Sequence, residues 1–346
     1  MSSLLYSEIL EQPSVVRRLL EMEADRVMSI GQCLAARDIR YVVIAARGTS
    51  DNAARYGQYI FGAQNHLTVA LATPSLFSIY QRPPSLESAL VIGISQSGQS
   101  PDIVSVLETA RQQGAPTVAL TNAPQSPLAS AAQHVIELHA GEERSIAATK
   151  TYTAQLAALA LLSTSLTGAP LPASALDLIP DAMEQALSAE RAARAAAERM
   201  AHSNRCVVVG RGFNYATTFE IALKIKERAY VEAEPYSSAD FMHGPIAMVE
   251  PGFPAVLVNV GETMRSEMMA LRDSLREHGA ALVVLGDDES LRHPADAWLC
   301  VPRGIPEWLT PLVAILPGQL LAYHLTLARG GDPDGPRTIR KVTLTH

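Results

Sequence analysis

The chain has 346 residues, of which 48% are hydrophobic and 18% charged, and this balance predicts a packed globular protein, not a disordered one. The net charge of -7, without long runs of lysine or arginine, argues against nucleic acid or a membrane surface as a partner. The length is typical of two domains of about 150 residues each. Three cysteines stand far apart without metal-ligand spacing, so we expect no disulfide framework, no metal site and a cytoplasmic location.

In the first half of the chain, apolar runs alternate with amphipathic segments. The N-terminus carries no signal-peptide pattern and is predicted to form a helical arm. Strands that alternate with helices of this length predict βαβ units and a parallel sheet. The predicted elements are the arm (1–30), strands over 41–46, 89–94 and 117–120, and helices over 51–61, 103–113 and 149–166.

The second half repeats this order of elements. Its predicted strands lie over 206–210, 255–260 and 281–285, and its helices over 216–231 and 266–277, with a helix over 179–201 between the halves. The apolar stretch over 309–321 is interrupted by Pro311 and Pro317, and we predict a core helix there and no membrane span.

These elements predict an α/β protein of two tandem doubly wound, flavodoxin-like parallel-sheet domains. We place the first domain over 31–170 and the second over 196–330. A linker helix over 171–195 joins them, and an ordered C-terminal tail over 331–346 follows.

A hydroxyl-rich loop, residues 95–100, follows the strand over 89–94. Ser100 is a favourable N-cap and Pro101 a favourable first helical residue, so the loop is predicted to end at a helix N-terminus. Free backbone N–H groups and the helix dipole favour an anion at that point. The sequence Gly48-Thr49-Ser50 follows the preceding strand in the same way. Because ligands collect at the carboxyl ends of parallel strands, both loops predict one phosphate site, although either alone is equally consistent with a polar turn.

The second half offers a different set of reactive residues. Lys224 and Glu227 lie three residues apart on one face of a predicted helix. They are candidates for reactive groups, and the alternative interpretation is an exposed ion pair without a catalytic role. His243, followed by Gly-Pro, reads in isolation as a capping or core histidine. The loop over 261–264 has no serine cluster and is a poor anion cradle. The tail alternates apolar and polar residues, which favours an ordered conformation over a frayed end.

Taken together, these motifs resemble the SIS (sugar isomerase) domain family. The resemblance is strongest to the isomerase half of glutamine–fructose-6-phosphate aminotransferase and to stand-alone glucosamine-6-phosphate deaminases built on that half. It covers nearly the whole chain, and the ordered set of motifs is more specific than any one of them. The motifs are Glu8–Pro13, Gly48–Ser50, Ser95–Gly98, Ala148–Lys150, Ala222–Glu227, His243–Pro245, Pro336-Arg337 and Lys341.

The resemblance implies a role for each matched position. Glu227, assisted by Lys224, would move a proton between C1 and C2 of the sugar. His243 would open the sugar ring and, in the family, comes from the neighbouring subunit, while Lys341 would form a Schiff base with the open-chain ketose. Ile146 and Ala147 would contact the sugar through backbone atoms. The phosphate group would be bound by Thr49, Ser50, Ser95, Gln96, Ser97 and Ser100.

The resemblance therefore implies an aminosugar-phosphate deaminase/isomerase that converts glucosamine 6-phosphate and water to fructose 6-phosphate and ammonia. It also implies a sugar phosphate as ligand, a homodimer with shared active sites, and no metal or redox cofactor. The chain begins Met1-Ser2-Ser3 and its first cysteine is Cys33, so we expect it not to draw ammonia from glutamine.

Some positions depart from the family pattern and bear on which sugar fits. Arg47 stands where the aminotransferase usually has a cysteine, and Glu143-Arg144-Ser145 and Ala148 also differ. Galactosamine 6-phosphate, a fructosamine 6-phosphate deglycase reaction and a non-catalytic sugar-phosphate sensor remain alternatives. A nucleotide-binding Rossmann enzyme is a weaker one, because the loop over 210–215 lacks the third glycine of that motif.

Overall fold

The computed structural model describes residues 3–166, 173–335 and 337–338. By its internal contacts the chain divides into two compact units. The N-terminal unit comprises residues 14–143 and 150–177, and the C-terminal unit comprises residues 178–338 together with 3–13 and 144–149.

The N-terminal unit contains a five-stranded sheet in which every strand pair is parallel, with the order β2-β1-β3-β4-β5. Its strands are β1 (Tyr41–Ala45), β2 (Thr68–Leu71), β3 (Ala89–Ile94), β4 (Thr117–Thr121) and β5 (His134–Glu137). The helices between the N-terminus and residue 177 are α1 (Leu4–Ala35), α2 (Thr49–Asn65), α3 (Pro74–Ser78), α4 (Pro101–Gln112), α5 (Pro127–Ala131), α6 (Lys150–Leu166) and α7 (Ala173–Asp177).

The C-terminal unit contains a second five-stranded parallel sheet, with the order β10-β9-β8-β6-β7. Its strands are β6 (Arg205–Gly210), β7 (Glu232–Ser237), β8 (Pro254–Asn259), β9 (Ala281–Gly286) and β10 (Ala297–Cys300). Its helices are α8 (Ile179–Ala186), α9 (Glu190–Met200), α10 (Tyr215–Lys224), α11 (Ser238–Met242), α12 (Arg265–Glu277) and α13 (Thr310–Ala328). The predicted fold class, two tandem doubly wound parallel-sheet domains, is confirmed.

Burial follows the strand order. Every residue of β3, β4 and β8 is buried, as expected for strands inside a parallel sheet with helices on both faces. The edge strand β2 alternates exposed and half-buried residues. On one face of the first sheet, a core that includes Val43, Val91 and Leu107 joins the central strands to α4.

The apolar helix α13 is a core element of the C-terminal unit. Together with the preceding turn, residues 307–328 are long and apolar enough to cross a membrane, but 83% of the apolar window is buried inside the protein. The helix continues through Pro317, and its burial agrees with the predicted core helix. A Cβ at Gly318 would lie 2.4 Å from Ile221 Cδ1, and this small residue lets α13 approach α10 closely.

The connections reverse direction at one place in each sheet. From β1 the chain moves to one edge and from β3 to the other, and β6 and β8 have the same relation in the second sheet. The carboxyl ends of β1 and β3, and of β6 and β8, are therefore the places where ligands collect in folds of this kind.

Candidate active site

The predicted phosphate loop lies at the reversal point of the first sheet. Residues 95–100 leave the carboxyl end of β3, and α4 begins at Pro101. Ser100 takes the N-cap position with extended backbone angles (φ -71°, ψ 109°), and the described residues give its side chain no capping bond. Pro101 has no N–H, and the Ile103 N–H is bonded to Ser100 O and Asp102 Oδ1. The Asp102 N–H and the Ser100 hydroxyl are therefore the donors at this N-terminus that suit an anion.

The shape of this loop is fixed by its own polar groups. The Gly98 N–H donates to Ser95 Oγ at 3.1 Å, and the Gly98 carbonyl accepts from Leu128 N at 3.1 Å. The Gln96 carbonyl accepts from Asn122 N at 3.1 Å, and Ser97 Oγ accepts from Gln99 N at 3.3 Å. Ser95 is buried, whereas Gln96 and Ser97 are half-buried. Ser95 therefore has a structural bond to the loop in addition to any bond to a ligand.

Replacing Gly98 by alanine is expected to displace this loop. Gly98 has φ +62°, and an added Cβ would lie 2.0 Å from Ser126 Oγ and 2.4 Å from Ser126 Cβ. The combined strain and overlap should lower the free energy of unfolding by about 1–3 kcal/mol and weaken the binding of inorganic phosphate, used as a probe of the loop, about tenfold or more. Thermal denaturation and calorimetric titration measure both.

Gly114→Ala is the matched control for Gly98→Ala. Gly114 also has positive φ (+79°) in the N-terminal unit, but no atom lies within 4 Å of its Cβ position. It therefore carries the backbone strain without the steric overlap. Equal affinities of the two variants for inorganic phosphate would contradict the role given to the loop.

The second predicted element, Thr49 and Ser50, opens α2 at the carboxyl end of β1. Gly48 precedes it with φ +55° and ψ -128°. Ser50 is buried, and its Oγ accepts from Gln155 Nε2 at 3.0 Å. Because β1 and β3 pair in parallel with Ala45 opposite Gly93, the two polar loops follow adjacent strand ends.

An ion pair that the sequence did not reveal joins these two loops. Arg47 Nε, just after β1, donates to Asp102 Oδ2 in the first turn of α4 at 2.8 Å. The Asp102 side chain is fully buried, and its other oxygen accepts from Ile103 N at 2.9 Å. Arg47 offsets a carboxylate that would otherwise oppose an anion at this helix N-terminus. The residue that departs from the family pattern thus has a defined local function here.

In the second sheet, the loop over 261–264 follows β8, and its N–H and hydroxyl donors are bonded to carboxylates of the protein itself. Thr263 donates to Glu307 Oε2 through its N–H at 3.3 Å and its Oγ1 at 2.5 Å. The Gly261 N–H donates to Asp287 Oδ2 at 3.1 Å. Donors that could hold an external anion are used internally, which agrees with the expectation that this loop is a poor anion cradle.

Lys224 and Glu227 lie in contact, with Lys224 Nζ 2.9 Å from Glu227 Oε2. Lys224 Nζ also lies 3.3 Å from Glu220 Oε1, a contact that was not predicted from the sequence. The side chains are 3% exposed for Lys224, 0% for Glu220 and 27% for Glu227. This is a largely buried triad and not the exposed ion pair that was the alternative. The i,i+4 spacing of Glu220 and Lys224 was a signal that could have found it.

Two carboxylates stabilise the charge of the single ammonium in this triad. Burial by itself lowers the pKa of Lys224, but the Glu220 and Glu227 carboxylates outweigh it and raise the pKa above the ordinary lysine value. Lys224 is therefore a fixed cation that can stabilise developing negative charge, and Glu227 is the carboxylate of the pair that solvent or a ligand reaches.

Glu227 lies in a π-helical turn, and here the predicted helix over 216–231 was wrong in detail. The α-helix ends at Lys224, a π-helical turn spans Ile225–Ala229, and Tyr230 closes it in the left-handed region with φ 55°. Such turns occur frequently at functional sites, because the extra residue changes the direction of the side chains in the turn. Helix propensity does not predict this π-helical turn.

The remaining predicted residues lie apart from this triad in sequence. His243 is exposed at the end of α11, where its backbone N–H donates to Asp240 O at 3.3 Å, so it is not a core histidine. Ala147 is buried and Ile146 half-buried. Lys341 lies outside the described residues, as does most of the predicted tail.

The backbone around Ile146 is held by a carboxylate from α1. Glu8 is 4% exposed, and its Oε1 accepts from Arg144 N at 2.5 Å while its Oε2 accepts from Ser145 N at 3.1 Å. No role for Glu8 itself was predicted from the sequence. These bonds fix the two residues that precede Ile146, and with them the backbone that the resemblance assigns to sugar contact.

Comparisons with known proteins agree with this architecture. A family model described as SIS domain matches residues 37–165 and 199–329. A glutamine–fructose-6-phosphate aminotransferase (isomerizing) from Methanothermobacter thermautotrophicus is 34% identical over 341 residues, covering 98% of this chain and 57% of that protein. The chain thus spans a little over half the length of the curated relatives it matches.

Two solved structures are similar over almost their whole length. One is a protein from Silicibacter pomeroyi DSS-3 provisionally named a phosphosugar isomerase, with 33% identity, a TM-score of 0.88 and coverage of 96% of this chain and 100% of that one. The other is the C-terminal domain of glucosamine-fructose-6-phosphate aminotransferase from Francisella tularensis, with 25% identity, a TM-score of 0.89 and coverage of 97% and 99%.

Proposed function

The chain belongs to the SIS domain family, and from this premise we propose that it is an aldose–ketose isomerase that acts on an aminosugar phosphate and releases its nitrogen. The reaction proposed is glucosamine 6-phosphate plus water to fructose 6-phosphate plus ammonia. The observation that carries the proposal is the Glu227–Lys224–Glu220 triad, which combines an accessible carboxylate with a buried, charged ammonium.

The chemistry of the reaction suits these groups. In the ring-opened sugar, Glu227 takes the proton from C2, and the electron pair of that C–H bond passes into the C1–C2 bond while negative charge develops on the aldehyde oxygen. Lys224 stabilises that charge. Return of the proton to C1 leaves an imine at C2. The Lys341 amine adds at C2 and expels ammonia to form a Schiff base, and water then hydrolyses this Schiff base to the ketone and the free lysine. The proton and the electrons balance without a redox partner.

We assign phosphate recognition to Thr49, Ser50 and the loop over 95–100, which follow the adjacent ends of β1 and β3. Ring opening is assigned to His243 and Schiff-base formation to Lys341. Because His243 is exposed, its ring is available to a second subunit, and we propose a homodimer with shared sites in the cytoplasm.

The direct test supplies the purified protein with a panel of phosphorylated sugars and measures ammonia and ketose phosphate together. The panel contains glucosamine 6-phosphate, galactosamine 6-phosphate and fructosamine 6-phosphate. We expect equimolar ammonia and fructose 6-phosphate from the first substrate. Tight binding of fructose 6-phosphate without turnover of any member would reject an enzymatic function in favour of a sensor.

Shared sites are tested by mixing two inactive variants. His243→Ala protein and Glu227→Gln protein, mixed and allowed to exchange subunits, should regain part of the activity if His243 acts across a dimer interface. No recovery, with subunit exchange demonstrated independently, would show that each chain is self-contained.

A further inference from the structure

Arg228, the residue after Glu227, is a buried cation with unused donors. Only 1% of its surface is exposed. Its Nη2 donates to the carbonyl oxygens of Asp332, at 3.2 Å, and Pro333. Its Nε and Nη1 are buried and have no hydrogen-bond partner in the described part of the chain. A guanidinium stays charged and carries five N–H donors, so donors left unmet in the interior are costly unless an acceptor reaches them.

Arg228 lines a cavity of about 540 Å³ within the C-terminal unit, a volume in the range of small-molecule sites. Arg329, Arg337 and His202 line the same cavity, and none of its described lining residues is an aspartate or glutamate. Alanine and glycine residues make up much of the remaining wall and leave the interior open. The cavity is therefore basic in a protein whose net charge is negative.

Two of these cations are held in place by protein contacts. Arg329 Nη1 donates to the carbonyl oxygens of Ala201 at 2.7 Å and Ser203 at 2.8 Å, and its Nη2 donates to Asn204 Oδ1 at 3.0 Å. The Arg337 guanidinium lies 4.1 Å from the centre of the Tyr230 ring. Cations fixed in this way lose little side-chain entropy when an anion binds.

The charge of Arg228 is incompletely balanced by its neighbours. Burial lowers the pKa of its guanidinium even though the Glu227, Asp332 and Asp334 carboxylates act in the opposite direction. An additional anion near Arg228 would restore this balance.

We propose that the cavity is a binding site for a small anion with more than one phosphate or phosphate-like group, separate from the sugar-phosphate loops of the N-terminal unit. Guanidinium groups bind phosphate oxygens in bidentate geometry, and the cavity offers several of them around one volume. The site does not depend on the function proposed above, because no residue of its wall belongs to the predicted phosphate loop or to the triad.

The probe is inorganic pyrophosphate, titrated calorimetrically into the wild type and into Ser97→Ala. We expect a pyrophosphate site that Ser97→Ala leaves intact. Arg228→Met should weaken it about tenfold or more, the loss expected for one charged hydrogen-bonding group. Ala328→Leu is the second variant: it removes no charge and fills the cavity from an exposed helical position. It keeps the test valid if Arg228→Met does not fold.

Leu327→Ala is the control, since Leu327 is the adjacent exposed residue of the same helix and does not line this cavity. It should leave pyrophosphate affinity unchanged. The proposal is overturned if the wild type does not bind pyrophosphate, if Ser97→Ala abolishes all binding, or if Ala328→Leu binds as tightly as Leu327→Ala.

Discussion

Glu227→Gln is expected to lower kcat for aminosugar-phosphate turnover by about 10²–10⁴-fold, the usual contribution of a positioned general base. Glutamine has the shape of glutamate, and its Oε1 can still accept from Lys224 Nζ, which lies 2.9 Å from the present carboxylate. The variant should therefore fold and bind fructose 6-phosphate, and lose only proton abstraction. Steady-state kinetics and calorimetric binding separate the two effects.

Glu232→Gln is the matched control for this loss. Glu232 is exposed at the start of β7, five residues further along the chain, and its substitution makes the same change of charge. It should keep the wild-type kcat. If Glu227→Gln also turns over at the wild-type rate, the base has been assigned to the wrong residue.

Lys224→Met is expected to lower the free energy of unfolding by about 3–5 kcal/mol, because it removes the ammonium that offsets the buried Glu220 carboxylate. Replacing both residues, as Lys224→Met/Glu220→Gln, should restore much of this loss, since no net charge then remains buried at this pair. Urea denaturation of the single and double variants measures the difference.

The control is Lys226→Met, an exposed lysine in the π-helical turn that follows Lys224, which should change stability by less than about 0.5 kcal/mol. The pH dependence has a defined sign. Because the pKa of Lys224 is raised in the folded protein, its contribution is complete below the ordinary lysine pKa of about 10.4 and is lost only at more alkaline pH. Equal stabilities of Lys224→Met and Lys226→Met would show that the triad does not stabilise the fold.

The interior strands of both sheets were predictable from sequence, and the edge strands were not. Strand β3 has its predicted bounds, and five other interior strands agree within one or two residues. The four missed strands are β2, β5, β7 and β10, one at each edge of each sheet. Edge strands are partly exposed, so their apolar pattern is broken, and β7 even contains Pro235, which an edge tolerates.

In the candidate site, the local sequence was enough to predict the loop that precedes α4. The loop over 95–100 leads into α4 as expected, because N-cap and first-turn preferences act over a few residues. Contacts between distant residues were missed. Asp102 meets Arg47 over 55 positions and Glu8 reaches Ser145 over 137, and only the folded chain brings such pairs together.

The fold class, the loop at the end of β3 and the spacing of Lys224 and Glu227 were predictable from the sequence alone, since periodicity, capping and i,i+3 geometry are local properties. Which charges are buried became clear only from the folded chain. Folding placed Glu220 beside Lys224 in the interior, widened the helix into a π turn at Glu227, and enclosed Arg228 in a basic cavity. Burial depends on packing between distant segments, and removal from water changes how a charged group interacts with its neighbours.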